Sequence, residues 1–317
     1  MRHLKLIPDD TKIPFSRWRF VAVGFSLVVM IAAVVLLFTR GLNFGIDFEG
    51  GILVEISTEG PADIGQIRSD LGGLGLGEVQ IQQFGQPDDV LIRVQSPKGE
   101  DADKASQAVV SQIKSVLGDS VEYRRVEVVG PQVSGELVQD GVLAIVVSVA
   151  LMLIYIWFRF EWQFSLGSVV ALVHDVMATL ALFSLLGMEF NLQSIAALLT
   201  IVGYSMNDTV IVFDRVRENL RKYKKMDLAE LVDLSVNQTL SRTVMTSGTT
   251  LLALLALFIF GGEVIRGFTF AMIFGIFIGT YSSIFIAGPV LLAVGVTRDT
   301  TTGGLGGVAK EKASGKA

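Results

Sequence analysis

Long apolar stretches constrain this chain more than any other feature of its sequence. Residues 20–38 contain no charged side chain, and a helix needs about 20 apolar residues to cross a bilayer. A cleaved signal peptide is a poor alternative, because its apolar region holds about 7–15 residues and an A-x-A site should follow. Lipid offers no water to backbone amides, so each such run is expected to be helical. The sequence predicts six transmembrane helices, at 20–38, 138–157, 164–186, 190–213, 243–262 and 267–292.

The composition supports a membrane protein and excludes several other classes. Hydrophobic residues make up 51% of the 317 positions and charged residues only 18%, whereas globular proteins have about 45–50% and about 25%. The formal net charge of −5 provides no overall basic field, so we expect no nucleic-acid partner. The chain has no cysteine, which excludes disulfides, thiol nucleophiles and cysteine-based zinc sites.

Residues 39–137 have a soluble composition and predict a separate α+β domain. Alternating apolar and polar residues indicate four strands, and two helical stretches lie between them. The predicted strands are 52–57, 78–84, 89–95 and 121–129, and the predicted helices are 61–71 and 102–117. This βαββαβ order is typical of a ferredoxin-like domain, in which two helices cover one face of an antiparallel sheet. The fold class is therefore a six-helix membrane bundle with a ferredoxin-like domain between helices 1 and 2.

Positive charges predict the orientation of the bundle. Lys and Arg concentrate in the N-terminal segment 1–19, in the loop 214–242 and in the tail 293–317. With six spans these three segments share one side of the membrane, which the positive-inside rule makes cytoplasmic. The domain at 39–137 is then periplasmic. The last twenty residues are rich in Gly, Ala and Lys without periodicity, so the tail is expected to be disordered.

Ionisable residues inside the predicted spans are the best candidates for a functional site, because a charge in lipid costs about 2.5–3.5 kcal/mol or more. Span four holds Asn207 and Asp208, and Arg242 opens span five on the same side, so Asp208 and Arg242 are expected to pair. Span three holds His174 and Asp175. Both sets have two interpretations. They form structural contacts within the bundle, or they bind and release protons as a neighbouring cation moves.

Small residues recur every fourth position in span six, and Gly275 and Gly279 form the G-x-x-x-G pattern of closely packed membrane helices. Packing within this chain and packing against a partner are equally compatible with the pattern.

Several fragments occur together in one order along the chain. A G-x-D-F-x-G-G motif follows span one, and further fragments lie before span two and across spans four and five. The residues are Gly45, Asp47, Phe48, Gly50 and Gly51, then Val129-Gly130-Pro131, then 203–209 running into Asp214-Arg215 and 216–219, and then 238–243 and 246–251. Together they resemble the SecF branch of the SecD/SecF family, within the RND superfamily.

The resemblance implies an auxiliary subunit of the Sec protein translocase in the bacterial inner membrane. Such a subunit forms half of a twelve-span RND-like unit with SecD beside the SecYEG channel. It uses the proton-motive force to promote late, ATP-independent export of unfolded polypeptides, after the SecA ATPase has acted, with YajC and YidC as further partners. The resemblance assigns Asp208 and Arg242 to the proton pathway. It assigns Gly45, Asp47, Phe48, Gly50 and Gly51, here called the glycine motif, to structural coupling, together with Asp214 and Arg215. The resemblance implies no covalent catalysis, metal or cofactor.

Two other functions remain open from the residues. Another RND-type transporter for lipids or hydrophobic molecules shares the architecture, although such pumps usually carry two membrane halves in one chain. An intramembrane hydrolase using His174, Asp175 or Asp208 is disfavoured, because neither a G-x-S-x-G nor an H-E-x-x-H sequence is present.

Overall fold

The structure is a computed structural model that describes residue 8 and residues 11–76, 79–95 and 102–296. The helices, in chain order, are α1 (Arg19–Thr39), α2 (Ile46–Glu49), α3 (Ile64–Gly72), α4 (Ala102–Leu117), α5 (Pro131–Arg159), α6 (Trp162–Leu186), α7 (Leu192–Lys222), α8 (Leu228–Phe260), α9 (Arg266–Phe285) and α10 (Ala287–Val294). The strands are β1 (Asn43–Phe44), β2 (Gly51–Thr58), β3 (Val79–Gln83), β4 (Asp89–Val94), β5 (Val121–Val129) and β6 (Glu189–Phe190). Most of the predicted tail, from residue 297 onward, lies outside the described residues, as does most of the N-terminal segment before residue 11.

Among the described residues, six helical segments are long and apolar enough to cross a membrane: α1, α5, α6, α7, α8, and α9 together with α10. The number and order of these segments confirm the six predicted spans. Chain contacts divide the protein into two compact units, one of which comprises Asn43–Ile145 and Glu189–Ile195, while the other contains most of the helical bundle.

The predicted cytoplasmic loop 214–242 is helical except at 223–227, because α7 and α8 extend beyond the predicted spans. Arg and Lys are good helix formers, and buried apolar side chains at Leu220 and Leu231 continue the packing of both helices. Asp227 ends the gap, because its side chain accepts a hydrogen bond from the Ala229 amide at 3.0 Å and caps α8. Both helices therefore continue beyond the apolar runs that located the predicted spans.

The predicted span 267–292 consists of two helices that meet at Ile286. Pro289 explains the break, because it has no amide hydrogen for the Phe285 carbonyl and its ring crowds that carbonyl. Helix α10 then continues to Val294, so the first two residues of the predicted tail are helical.

The smaller unit contains a four-stranded antiparallel sheet with the strand order β3-β4-β2-β5. Its elements follow the predicted βαββαβ order, with ends within three residues of those predicted. Alternate residues of β2 and β4 form a core with one face each of α3 and α4. The core includes Ile52, Val54, Ile56, Ile92, Ile67 and Ile113.

A second, two-stranded sheet in the same unit was not predicted from the sequence. Strand β1 pairs in parallel with β6, with Asn43 opposite Glu189 and Phe44 opposite Phe190. Two-residue strands carry no alternation for a sequence pattern to detect. This sheet joins the glycine motif to the segment immediately before α7.

Candidate functional site

Asp208 lies on α7 and is only 5% exposed. Each carboxylate oxygen accepts one hydrogen bond. Thr243 of α8 donates to Oδ1 at 2.6 Å, and Ser283 of α9 donates to Oδ2 at 2.7 Å. Three membrane helices therefore meet at this carboxyl group, and two neutral hydroxyls stabilise it.

The expected ion pair between Asp208 and Arg242 is not formed among the described residues. Arg242 is exposed on the surface of the chain and lies within α8 rather than at its start. Consecutive residues of a helix point about 100° apart, so Thr243 faces Asp208 and Arg242 points elsewhere. Asn207, one position before Asp208, is exposed for the same reason. The sequence placed these residues at a similar depth but assigned the wrong contact.

Arg242 lines a surface cleft of about 380 Å³ between α5, α7 and α8, together with Arg159 and Asp214. Arg159 donates to the Asp214 carboxylate at 2.8 Å, and Arg215 donates to Glu218 at 2.5 Å. Both pairs are largely exposed, and such pairs contribute about 0–1 kcal/mol. Asp214 and Arg215 thus form surface ion pairs beside the cleft.

Asp175 of α6 is a second buried carboxylate, with no exposed surface. Its Oδ2 accepts hydrogen bonds from Ser205 of α7 at 2.5 Å and from Ser282 of α9 at 2.7 Å. The Nδ1 atom of His174 lies 3.1 Å from Oδ1, while the buried Nε2 atom has no hydrogen-bond partner in the part of the chain that the structure describes. From the sequence this pair ranked below Asp208, yet its carboxylate accepts more hydrogen bonds.

Four consecutive residues of α9, here called the α9 tetrad (Thr280, Tyr281, Ser282 and Ser283), contact four different helices. Ser282 and Ser283 bind the two carboxylates. The hydroxyl of Thr280 lies 2.9 Å from that of Ser247 on α8, and Tyr281 donates to the Ala22 carbonyl of α1 at 2.8 Å. This tetrad was not predicted from the sequence, although four polar residues in a row within an apolar span were visible.

The glycines of α9 face α7 of the same chain. A Cβ atom on Gly279 would lie 2.9 Å from the Cβ atom of Ser205, and one on Gly275 would contact the Ile201 side chain. The structure thus resolves the two interpretations of the G-x-x-x-G pattern in favour of packing within the chain. The close approach at Gly279 also brings Ser205 beside the carboxylate of Asp175.

The glycine motif holds the segment that starts α7. Asp47 Oδ2 accepts a hydrogen bond from the Leu192 amide at 2.9 Å, so it satisfies one of the free amides at the start of that helix. The ring of Phe48 stacks on that of Phe190 with centroids 6.0 Å apart. Gly50 and Gly51 have φ angles of +71° and +135°, which side chains with a Cβ atom rarely adopt.

Glu189 adds a partly buried charge to this motif that was not predicted from the sequence. Its carboxylate lies 3.6 Å from the Arg93 guanidinium, and Arg93 also donates to the Phe44 carbonyl at 3.0 Å. Burial raises the pKa of Glu189, while Arg93 and Arg125 oppose that rise. A Cβ atom on Gly45 would lie 2.5 Å from the Glu189 Oε1 atom and 3.2 Å from the Asn191 Cβ atom, so a larger residue at this position requires the Glu189 carboxylate to move.

Within the described ranges, no three His, Asp or Glu side chains gather as a metal site.

Comparisons with known proteins identify the family. Residues 109–297 match the model of "Protein export membrane protein SecD/SecF, C-terminal", and residues 35–62 match the "SecD/SecF GG Motif". The chain is 47% identical to a protein translocase subunit SecF from Rhodobacter capsulatus, over 93% of each chain. It is 44% identical to a subunit of the same name from Vibrio alginolyticus, over 93% of this chain and 94% of that one.

Solved structures agree with this match. The crystal structure of SecDF from Thermus thermophilus has a TM-score of 0.81 and 37% identity over 90% of this chain. A second SecDF structure, described as a super-membrane-facing form, has a TM-score of 0.65 and 37% identity over 93% of this chain. This chain spans only 39% and 40% of those two SecDF chains. The protein is therefore a multi-span membrane protein of the export machinery and belongs to the SecF branch of the SecD/SecF family.

Proposed function

We propose that this chain works with SecD as a proton-driven accessory subunit of the Sec translocase. It promotes late, ATP-independent steps of protein export across the bacterial inner membrane. The observation that carries the proposal is Asp208, a membrane-embedded carboxyl group that two neutral hydroxyls hold in a chain of this family. Ionisable groups at such depth are costly and mark ion or proton pathways.

Proton exchange at Asp208 needs a change in its contacts. Thr243 donates to the carboxylate now, and Arg242 is its neighbour on α8. A rotation of α8 about its axis by one residue, or about 100°, would replace the Thr243 hydroxyl beside Asp208 with the Arg242 guanidinium. A nearby cation favours the ionised carboxylate, so the rotation would promote proton release. Moving one charge through 100 mV supplies about 2.3 kcal/mol, and a few protons can therefore drive such a rearrangement. Asn207 lies beside this pathway.

Exposed polar groups at the depth of Asp208 support the SecD partnership. Arg242, Asn207 and the hydroxyls of Thr246 and Thr249 lie on the surface of α7 and α8. An Arg side chain that faces lipid is costly, so a second protein is expected to cover this face. SecD is the partner in keeping with the SecDF structures that this chain resembles.

The remaining parts follow the family assignment. The four-stranded domain is a periplasmic ferredoxin-like domain, and both chain ends are cytoplasmic. The assembly lies beside SecYEG and acts after SecA on unfolded exported polypeptides, with YajC and YidC as further partners. The proton gradient supplies the energy without a cofactor, a metal or covalent catalysis.

The decisive experiment measures export in inverted inner-membrane vesicles with and without a proton gradient. Asp208→Asn keeps the size of the side chain and removes its proton exchange, so gradient-dependent stimulation should be lost while the membrane level and SecD co-purification stay normal. Glu122→Gln, a change in an exposed carboxylate of β5 outside the predicted spans, should retain full stimulation. Normal stimulation in Asp208→Asn vesicles would refute the role of this carboxyl group.

A further inference from the structure

We propose that Asp175 is a second proton-binding carboxyl group and that Ser282 and Ser283 couple its protonation to that of Asp208. The inference rests on the proposed function, since it assumes that Asp208 exchanges protons. It adds a second site and a physical link between the two sites.

The two carboxylates have matching environments in one bundle. Asp175 and Asp208 are 0% and 5% exposed, and each accepts a hydrogen bond of 2.7 Å from a serine of α9. Each accepts a second one from another helix, at 2.5 Å from Ser205 and at 2.6 Å from Thr243. An arrangement that suits proton binding at Asp208 is therefore repeated at Asp175.

Each serine of α9 has one hydroxyl hydrogen and two acceptors within reach. Ser282 lies 2.7 Å from the carboxylate of Asp175 and 3.1 Å from the Gly279 carbonyl. Ser283 lies 2.7 Å from the carboxylate of Asp208 and 3.0 Å from the Thr280 carbonyl. An ionised carboxylate is the stronger acceptor. When a proton from water binds the carboxylate oxygen, the serine hydrogen is free to turn to its helix carbonyl.

The two alternative carbonyls belong to one turn of α9. Hydroxyls that bond back to their own helix bend it, and here both would bend the turn from Gly279 to Ser283. That turn ends three residues before the break at Ile286. A bend that follows protonation of one carboxylate therefore moves the serine of the other. This shared turn provides the coupling.

Among the described residues, few other titratable or charged groups face the two sites. His174 on α6 contacts Asp175, and the ring of Tyr281 on α9 lies 6.0 Å from that imidazole. From α7, Ser205 presents a neutral hydroxyl to Asp175. Arg242 on α8 is the charged neighbour of Asp208. The Nε2 atom of His174 is buried and has no hydrogen-bond partner among the described residues, so it adds no charge to the Asp175 site.

Infrared spectroscopy of the carboxyl groups tests the inference without relying on export. The purified complex of this chain with SecD is reconstituted in liposomes and titrated with pH. Asp175→Asn should remove one titrating carboxyl band and shift the titration of the Asp208 band. The interaction energy between two coupled residues is about 0.5–3 kcal/mol. At 1.36 kcal/mol per pH unit, this energy corresponds to a shift of the Asp208 titration by about 0.4–2 pH units. The Asp208 band is identified by its loss in Asp208→Asn.

Ser282→Ala keeps both carboxyl groups and guards against misfolding of Asp175→Asn. Losing a donor to a charged group should move the Asp175 band by about 1–2 pH units towards higher pH, and the Asp208 band should move with it. Ser168→Ala is the matched control, because Ser168 is a similarly buried serine of α6 that has no hydrogen-bond partner among the residues the structure describes. Both bands should stay unchanged in this variant. If neither Asp175→Asn nor Ser282→Ala alters a band, the second site does not exist. If the Asp208 band stays fixed while the Asp175 band changes, the coupling is refuted. Either result leaves the role of Asp208 intact.

Discussion

Replacing Gly279 with alanine tests the helix contact that brings α7 close to α9. The new Cβ atom would lie 2.9 Å from Ser205 Cβ and 3.3 Å from its Cα, whereas carbon atoms pack best at about 3.5–4.0 Å. The Ser205 backbone cannot rotate away, so the helices must separate by several tenths of an ångström. Overpacking of this kind costs about 1–3 kcal/mol. The separation also weakens the hydrogen bond from Ser205 to Asp175, which is 2.5 Å long.

Gly203→Ala is the control for this measurement. Gly203 is a helical glycine of α7. Apart from its own helix, no atom of the described residues lies within 4 Å of the position that a Cβ atom would occupy there. Both variants therefore gain the same helix propensity, and only one gains a clash. Unfolding of the lipid-reconstituted protein should show Gly279→Ala less stable than Gly203→Ala by about 1–3 kcal/mol. Adding Ser205→Gly should recover part of that difference, since it removes the nearer contact atom. Equal stability of the two alanine variants would refute the close approach.

Two predictions concern the glycine motif. Asp47→Ala should lower the free energy of unfolding by about 0.5–2 kcal/mol, because the Leu192 amide at the start of α7 loses its acceptor. Asp47→Asn keeps an acceptor and should keep most of the stability. Equal losses in the two variants would contradict a role for this hydrogen bond. Burial raises the pKa of Glu189 above 4.5, so the folded protein binds its proton more tightly than the unfolded chain. The wild type should therefore gain stability relative to Glu189→Gln as the pH falls through the raised pKa towards 4.5, which melting curves at a series of pH values measure. A stability difference between the two proteins that does not change with pH would contradict the effect of burial.

The sequence predicted the architecture well because its signals are local. Runs of apolar residues located the six spans, and alternation located all four strands of the main sheet. The features that the sequence did not reveal depend on a neighbour in space or on a local cap. Helices α7 and α8 continue through the predicted loop 214–242 because buried leucines support them, and a cap at Asp227 sets the boundary. The pairing of β1 with β6 joins residues far apart in the chain.

The candidate site was predicted in part. The cost of a charge in lipid pointed to Asp208 and Asp175, and the structure places both in buried hydrogen-bond networks. The pairing with Arg242 failed, because sequence spacing gives the depth of a residue but not the direction of its side chain. On α8, a shift of one position decides whether Arg242 or Thr243 faces Asp208. The serines of α9 carry no charge, and their role became visible only through their contacts.

The α9 tetrad limits how this bundle can move. Its four residues bond to α8, α1, α6 and α7 in turn, because consecutive side chains point about 100° apart. Rotation of α9 about its axis would break all four contacts at once. A neutral hydrogen bond contributes about 0.5–1.5 kcal/mol and one to a charged group about 1.5–3 kcal/mol, so the total cost of rotation is several kcal/mol. Bending at Ile286, where Pro289 has already interrupted the helix, breaks none of them. Conformational change is therefore expected through bending of α9 and movement of the helices around it.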